Sequence, residues 1–429
     1  MKKGLLLGAG FSYDFGMPLG KDMTDIFLAL FDWWQVKKLI FLLSLKESYG
    51  KDRPINRKAI SECLNMILSY KKVYEKSGGD GNYEDLIGSI EAAHDIPGKS
   101  LTDRDSYSFV LSFLYDVIYK ILELYQNKSY SRLYERAFPL YSKLNNILSD
   151  EETWVANLNH DLYLECLAID LGIPLTQGDT GTIYFPIDNR NLSDGITFLC
   201  SKRKDINFDH YGFFKGQKGI NLIKIHGGLS ELEYKDRNII CNLNMNYGNS
   251  RLLISDYNRI EKMAFYVNGQ PIPCGKDRVV SNEDGELDII VKAMMTGRNK
   301  YSKTSNPKEG EEKLILLDKM LDSLDELTII GYGFGDKHIN YRLSNAMVRN
   351  NSLNLWIISP GTNRTPEILE QFDYKDRIRR ATCSGSACMS YIEDNKWDME
   401  NEKQAKENLK IRDEIKKAVL SFLAPNKSL

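Results

Sequence analysis

Gly4-Leu5-Leu6-Leu7-Gly8-Ala9-Gly10-Phe11-Ser12, followed by Tyr13-Asp14-Phe15-Gly16-Met17-Pro18, opens the chain. Small and apolar residues, then two glycines one apart and a serine, predict a buried parallel strand that stops at a helix N-terminus. Such an end presents backbone N–H groups and a positive helix dipole, which suits a phosphate or diphosphate. Gly8 and Gly10 would let the backbone approach that ligand, since a Cβ at either position would stand between N–H and oxygen. The bland reading of the same residues is a tight strand-to-helix turn. The dinucleotide fingerprint GxGxxG needs a glycine at position 13, where Tyr13 stands, and an acid about 20 residues on, after a second strand. A long helix-like apolar run occupies that place, so a standard dehydrogenase is disfavoured.

Later segments repeat the arrangement. Thr153 to Leu158 reads as a strand that ends in Asn159-His160-Asp161, with a helix over Leu162 to Leu171. Ile173-Pro174-Leu175 reads as a short strand, and Asn221 to Ile225 as a buried one that ends in His226-Gly227-Gly228. Leu327 to Ile330 runs into Gly331-Tyr332-Gly333-Phe334-Gly335-Asp336, and Asn354 to Ile358 is a last strand. Short apolar strands alternating with helices predict an α/β fold, a doubly wound, Rossmann-like parallel sheet with its site at the carboxyl ends of the strands. Four polar tips on that edge, Gly8 to Ser12, Asn159 to Asp161, His226-Gly227 and Gly331 to Asp336, can surround one nucleotide. Taken singly, Asn159 and Asp161 would cap a helix, His226 would be a core histidine, and Gly331 to Asp336 a turn with an N-cap.

Between the first two strands, residues 21–149 carry helical periodicity, as in Ile60, Cys63, Leu64, Ile67 and Leu68, with a breaker at Ser77 to Gly81, and Ser106 to Gln126 and Arg132 to Leu148 read as two more amphipathic segments. The boundaries expected are a site-bearing domain from 1–20 and 150–365, a large helical insertion over 21–149, an irregular insertion over 230–310, and a helical C-terminal region over 366–429. Within 230–310, Val267 to Gln270 reads as a hairpin turn and Lys300 to Lys313 as a mobile loop. The tail reads as a solvated helix with a small apolar stripe at Ile411, Ile415 and Val419.

Of the 429 residues, 42% are hydrophobic and 27% charged, and the net charge of −2 gives nucleic acid no implied role as principal ligand. Met1-Lys2-Lys3 and the short run behind it lack the length and cleavage site of a signal peptide. The apolar runs Ile26 to Trp34 and Leu39 to Leu45 are split by charges and make no membrane span, so a cytoplasmic protein is expected. The seven cysteines are scattered with no C-x-x-C pair, and no metal is expected.

The order GAGFS, N-x-D, I-H-G and IIGYGFGD resembles sirtuin-like proteins, specifically the bacterial antiphage defence branch that hydrolyses NAD+. Gly16-Met17-Pro18 matches the G-I/M-P that follows GAG(x)S in that pattern. The resemblance implies a sirtuin-type fold, Asn159, His226 and Asp161 as catalytic residues, and NAD+ as substrate. It implies NAD+ binding by Gly8, Ala9, Gly10, Phe11, Ser12, Pro18, Gly227, Gly331, Gly333 and Asp336. It covers the sheet-forming parts, about half the chain. The four-cysteine zinc module of protein-deacylating sirtuins is missing, with only Cys241 and Cys274 in that region, and Leu19-Gly20-Lys21 stands where they carry an acid, an aromatic and an arginine. Both departures count against acyl-lysine as substrate.

In the expected reaction the nicotinamide leaves as a neutral group while the ribose gains oxocarbenium character. Asn159 would hold the ribose hydroxyl or the water, Asp161 would organise its tip or face the cation, and His226, as an imidazole titrating near pH ~6.5, would take a proton. A non-catalytic NAD or ADP-ribose sensor or scaffold is the alternative. An active NADase would poison its own cell, so control is expected through a homo-oligomer or an activating partner, such as an ATPase or another defence-system subunit. The helical insertion would cover the pocket, form an interface or receive that partner.

Overall fold

The computed structural model describes residues 2–38, 56–188, 191–263, 266–267, 270–271, 277–294, 311–361, 367–373, 376–394 and 399–424. Among the described residues fifteen strands run in order: β1 Lys3–Leu7, β2 Glu152–Asn157, β3 Leu175–Thr176, β4 Gly181–Asp188, β5 Asn191–Lys202, β6 Gly219–Lys224, β7 Leu232–Tyr234, β8 Ile239–Leu243, β9 Tyr266–Val267, β10 Gln270–Pro271, β11 Asp277–Ser281, β12 Leu287–Lys292, β13 Glu326–Ile330, β14 Asn354–Ile358 and β15 Ile378–Ala381. Seven of them form one sheet in the order β15-β14-β13-β1-β2-β6-β3, and its pairings are all parallel. Leu5, Leu6 and Leu7 of β1 are buried, as are Val155, Ala156, Leu327, Ile329 and Ile330 beside them. Strands covered on both faces cannot alternate polar and apolar residues, which is why these runs are continuously apolar.

From β1 the chain builds outward to β2 on one side and returns later to β13 on the other. The crevice at the carboxyl ends of β1 and β13 is therefore the topological switch point of the sheet, where open α/β folds place their ligands.

The chain divides into two compact units: Met1–Met17, Gln126–Met294 and Thr304–Asp413, and Pro18–Tyr125, Met295–Lys303 and Glu414–Leu429. The second is helical, with Gly20–Ala29, Arg57–Lys76 and Tyr83–His94 in it, and shares residues 21–125 with the expected insertion. Asn56 and Asn82 cap the latter two helices through their side-chain oxygens. Tyr74 donates to Asp25 at 2.6 Å and Lys416 pairs with Asp22 at 2.8 Å, which ties the C-terminal end of the helix Met399–Leu423 into this unit. Ile415 and Val419 of the expected apolar stripe are fully buried, while Ile411 is half-buried.

Several expectations need correction. No helix follows Gly10: residues 9–16 are turns and a bend, and the first helix begins at Gly20. The segments expected at Ser106 to Gln126 and Arg132 to Leu148 are a continuous helix, Leu101–Ser129, a π-turn, Tyr130–Tyr134, and a shorter helix, Glu135–Tyr141. The strand before His226 ends at Lys224. Asn354–Ile358 is not the last strand, since β15 pairs beside it from within the region expected to be helical. Much of 181–292 is a regular antiparallel sheet, in the order β11-β12-β7-β8-β5-β4. β9 and β10 pair antiparallel around the expected hairpin turn, whose Asn268 and Gly269 lie outside the described residues, as do residues 39–45, Cys274 and residues 300–310 of the expected loop. Among the described residues no helix is long and apolar enough to cross a membrane.

Candidate active site

Backbone bonds lace the tips of the parallel sheet together. Leu158 N–H donates to Leu7 at 2.9 Å, Ile225 N–H to Asn157 at 3.0 Å and Leu229 N–H to His160 at 2.8 Å. On the other side of β1, Gly8 N–H donates to Ile330 at 3.0 Å and Gly10 N–H to Gly331 at 2.9 Å, while Phe11 N–H closes back on Gly8. Three of the N–H groups expected to cradle a diphosphate are thus spent on the protein itself.

The glycines answer to the same packing. A Cβ on Gly8 would lie 2.6 Å from the Tyr332 backbone, and one on Gly10 2.6 Å from the Gly331 Cα. Gly331 adds a left-handed φ of 64°. Gly227 has a φ of 70°, and its Cβ would stand 2.1 Å from the Ala293 carbonyl oxygen. Gly333 differs: a Cβ there meets nothing within 4 Å, so its surroundings are open. Ala9 is exposed and Gly10 half-buried. Pro18 begins the second compact unit.

Phe11 is fully buried with its ring against Tyr141, 5.3 Å between centroids, so it is a core anchor of the loop. Phe15 stacks on Tyr163 at 4.7 Å and packs against Tyr141 at 4.5 Å. Tyr141 also donates its hydroxyl to the Phe11 carbonyl at 2.6 Å, and Ser386 donates to Asp14 at 2.5 Å. Burial pushes the Asp14 carboxyl above its ordinary range, against the pull of Ser386, Tyr141 and the Arg412 guanidinium. The sequence reading assigned no role to Asp14 or Tyr141, which fix the loop in a single shape.

Asn159 joins two tips. Its side-chain amide donates to the Gly8 carbonyl at 2.9 Å and to the Ser12 hydroxyl at 3.2 Å, and its backbone N–H is held by Asn157 at 2.9 Å. Asp161 is buried below it and accepts from the Tyr163 N–H at 3.1 Å, at the start of the helix Tyr163–Asp170. Burial raises its carboxyl, and Lys224, the Ser12 hydroxyl and the Tyr163 N–H oppose that. This bond ties the Asp161 side chain to the first turn of that helix, whose N-cap residue is Leu162. Lys224 itself bridges the Asp161 carbonyl, at 2.5 Å, and Glu165, at 2.6 Å.

His226 is buried, with Nδ1 3.3 Å from the Leu158 carbonyl. A carbonyl oxygen can only accept, so Nδ1 carries the proton and Nε2 the lone pair. Its ring centroid lies 6.2 Å from that of His160 and 5.8 Å from that of His338. Three of the chain's five histidines thus gather at one edge. His160 and His338 carried no role in the sequence reading, and the available signal was that histidine is rare here while two of the tips contain or adjoin one.

Asp336 begins the helix Lys337–Arg349, and its carbonyl accepts from Ile339 and Asn340, both at 3.1 Å. The loop before it is pinned by Tyr332, which donates to the Asp336 carbonyl at 3.1 Å, and by the Asn340 amide, which donates to Phe334 at 2.9 Å. A cavity of about 610 Å³, lined by Lys2, Lys3, Glu152, Trp154 and Phe208 among others, lies at the amino ends of β1 and β2. It is on the opposite edge from the tips, where parallel sheets do not carry their chemistry, and it is not the site.

No family model and no curated protein matches the chain. Matching solved structures include one described as "Structural Basis for the Mechanism and Regulation of Sir2 Enzymes", which is 10% identical, with a TM-score of 0.26, over 65% of this chain and 71% of that one. Likeness at that level carries no argument about function.

Proposed function

We propose that the chain is an NAD+ glycohydrolase, which cleaves the bond between nicotinamide and ribose with water to give nicotinamide and ADP-ribose. The observation that supports this most is the placement of Asn159 and His226 on adjoining strand tips beside the switch-point crevice, with the His226 ring on the carbonyl of Leu158, the residue before Asn159. Asn159 is held by Gly8 and Ser12 in one orientation, which suits it to position a sugar hydroxyl or a water. With Nδ1–H on a backbone carbonyl, the His226 Nε2 lone pair can take a proton from the attacking water as its oxygen bonds to the ribose carbon. The electron pair of the broken bond leaves with nicotinamide and neutralises it. Since Gly8, Gly10 and Phe11 have spent their N–H groups, a diphosphate would be held by the more open Gly333 to Gly335 segment. On this reading the protein serves bacterial antiphage defence by NAD+ depletion under the control of assembly or a partner.

A binding module without turnover is the second reading, and the burial of His226, only 2% exposed, favours it because a substrate must reach the ring. Incubation with NAD+ and chromatography of the products separates the two. Wild type should release nicotinamide, and His226→Ala and Asn159→Ala should each lose at least about 100-fold in rate. Wild-type turnover by both variants defeats the mechanism, and bound but intact NAD+ with wild type establishes the sensor.

A further inference from the structure

We infer that the strand tips hold a divalent transition-metal ion through His226, Asp336 and His338. One potential ligand atom from each of these side chains lies within 4.8 Å of the others. Around a tetrahedral ion with bonds of about 2.0 to 2.2 Å, ligand atoms stand roughly 3.3 Å apart. The side chains need only close inward, and Asp336 and His338 are half-buried at the start of a helix, where rotamers can adjust.

The surroundings of His226 favour a metal. An imidazole ligand characteristically donates its second ring N–H to a carbonyl or carboxylate, which fixes ring and tautomer. His226 does this through Nδ1 and the Leu158 carbonyl. The ligands come from two tips, the turn after β6 and the end of the loop after β13, so an ion would bridge both sides of the switch point. Two imidazoles and one carboxylate select zinc-class or iron-class divalent ions over magnesium and calcium, which take oxygen ligands. The remaining coordination positions would go to water or a ligand oxygen. The sequence carries no clustered-cysteine signal for a metal, and these three ligands span more than a hundred residues of chain.

This inference stands apart from the glycohydrolase reading, since it concerns ion binding alone. If both hold, ion and proton compete for the same Nε2 lone pair, and bound zinc slows NAD+ cleavage.

Titration of the full chain with Co2+, followed by visible d–d absorption, and with Zn2+ against a chromogenic chelator tests it. The expected result is one ion per chain, with affinity reduced at least tenfold in His338→Ala and in Asp336→Asn. His338→Gln, a milder change at a half-buried position, serves as the second variant if His338→Ala does not fold. The absence of stoichiometric binding, or binding that these variants leave unchanged, overturns the proposal. A sulfur-to-cobalt charge-transfer band in the near ultraviolet would also overturn it, since it would place the ion on cysteine, with Cys383 and Cys388 the nearest such pair in sequence.

Discussion

Residue by residue, the glycine-rich tips carry two kinds of glycine that the sequence writes identically. Gly331 is left-handed, and its missing Cβ makes room for the Gly10 backbone, whose Cα and carbonyl carbon would each lie 2.4 Å away. Neither backbone can give way without breaking the Gly10-to-Gly331 hydrogen bond. Gly331→Ala should therefore cost at least about 2 kcal/mol in urea unfolding, from strain in φ plus overpacking. Gly333→Ala, two residues on, fills open space and should change stability by less than about 0.5 kcal/mol. Equal effects of the two would mean that the β1 and β13 loops do not touch as described. The other motif side chains divide in the same way: Phe11, conspicuous in the motif, serves the core, while Asn159 links the loop after β1 to the loop after β2 through its side-chain amide.

At the scale of elements, six strands of the seven-stranded sheet were legible because they are short apolar runs with glycines or polar residues behind them, whereas the edge strand β15 was not, since its exposed Arg379 and Arg380 leave no apolar run to read. The second sheet was not. Its β7–β8 hairpin turns through Lys235, Asp236 and Arg237 with φ of 48°, 51° and 65°, three left-handed residues in succession with no glycine among them. Hairpin signals in sequence rest on glycine or Asn-Gly at such positions, so none appears here. The strain also predicts a gain: Lys235→Gly should stabilise the protein by roughly 0.5–1 kcal/mol, read as a raised denaturation midpoint. A lower midpoint would show that the extra freedom of glycine in the unfolded chain outweighs the relief. The β5 strand does alternate, with Ile196 and Phe198 buried and Thr197 exposed, but it opens with four exposed residues, Asn191 to Asp194, which read as loop. The long helix Leu101–Ser129 continues into a π-turn where periodicity counting expects a break, because the extra residue shifts the phase of the helix face.

For the whole molecule, the response to pH is set by buried carboxyls. Burial pushes Asp179 up to about 6 from its ordinary 3.8, despite the Asn242 amide, which donates to it at 2.9 Å. A carboxyl raised in the folded state favours folding while it is protonated. Its contribution is complete below about pH 3.8 and is lost as the pH rises through about 6. Asp179→Asn, which stays neutral and keeps the Asn242 contact, should gain stability relative to wild type between pH 4 and 7, by at most roughly 3 kcal/mol. Denaturant unfolding of both proteins across that range measures the difference, and parallel curves would mean that Asp179 titrates normally.

Sequence by itself determined the parallel α/β sheet and, β15 apart, the position of its strands and the residues at their tips, because buried strands must be apolar throughout and turns must use residues that tolerate them. Tertiary structure decided what the tips do. Whether a glycine serves a ligand or a neighbouring backbone, and that Asp161 meets Ser12 and Lys224, depends on groups far away in the chain. Hydrogen bonds and steric contacts act over a few ångströms of space, without regard to sequence separation. For the same reason only the folded chain shows that His226 and His338, 112 positions apart, bring their rings within 5.8 Å.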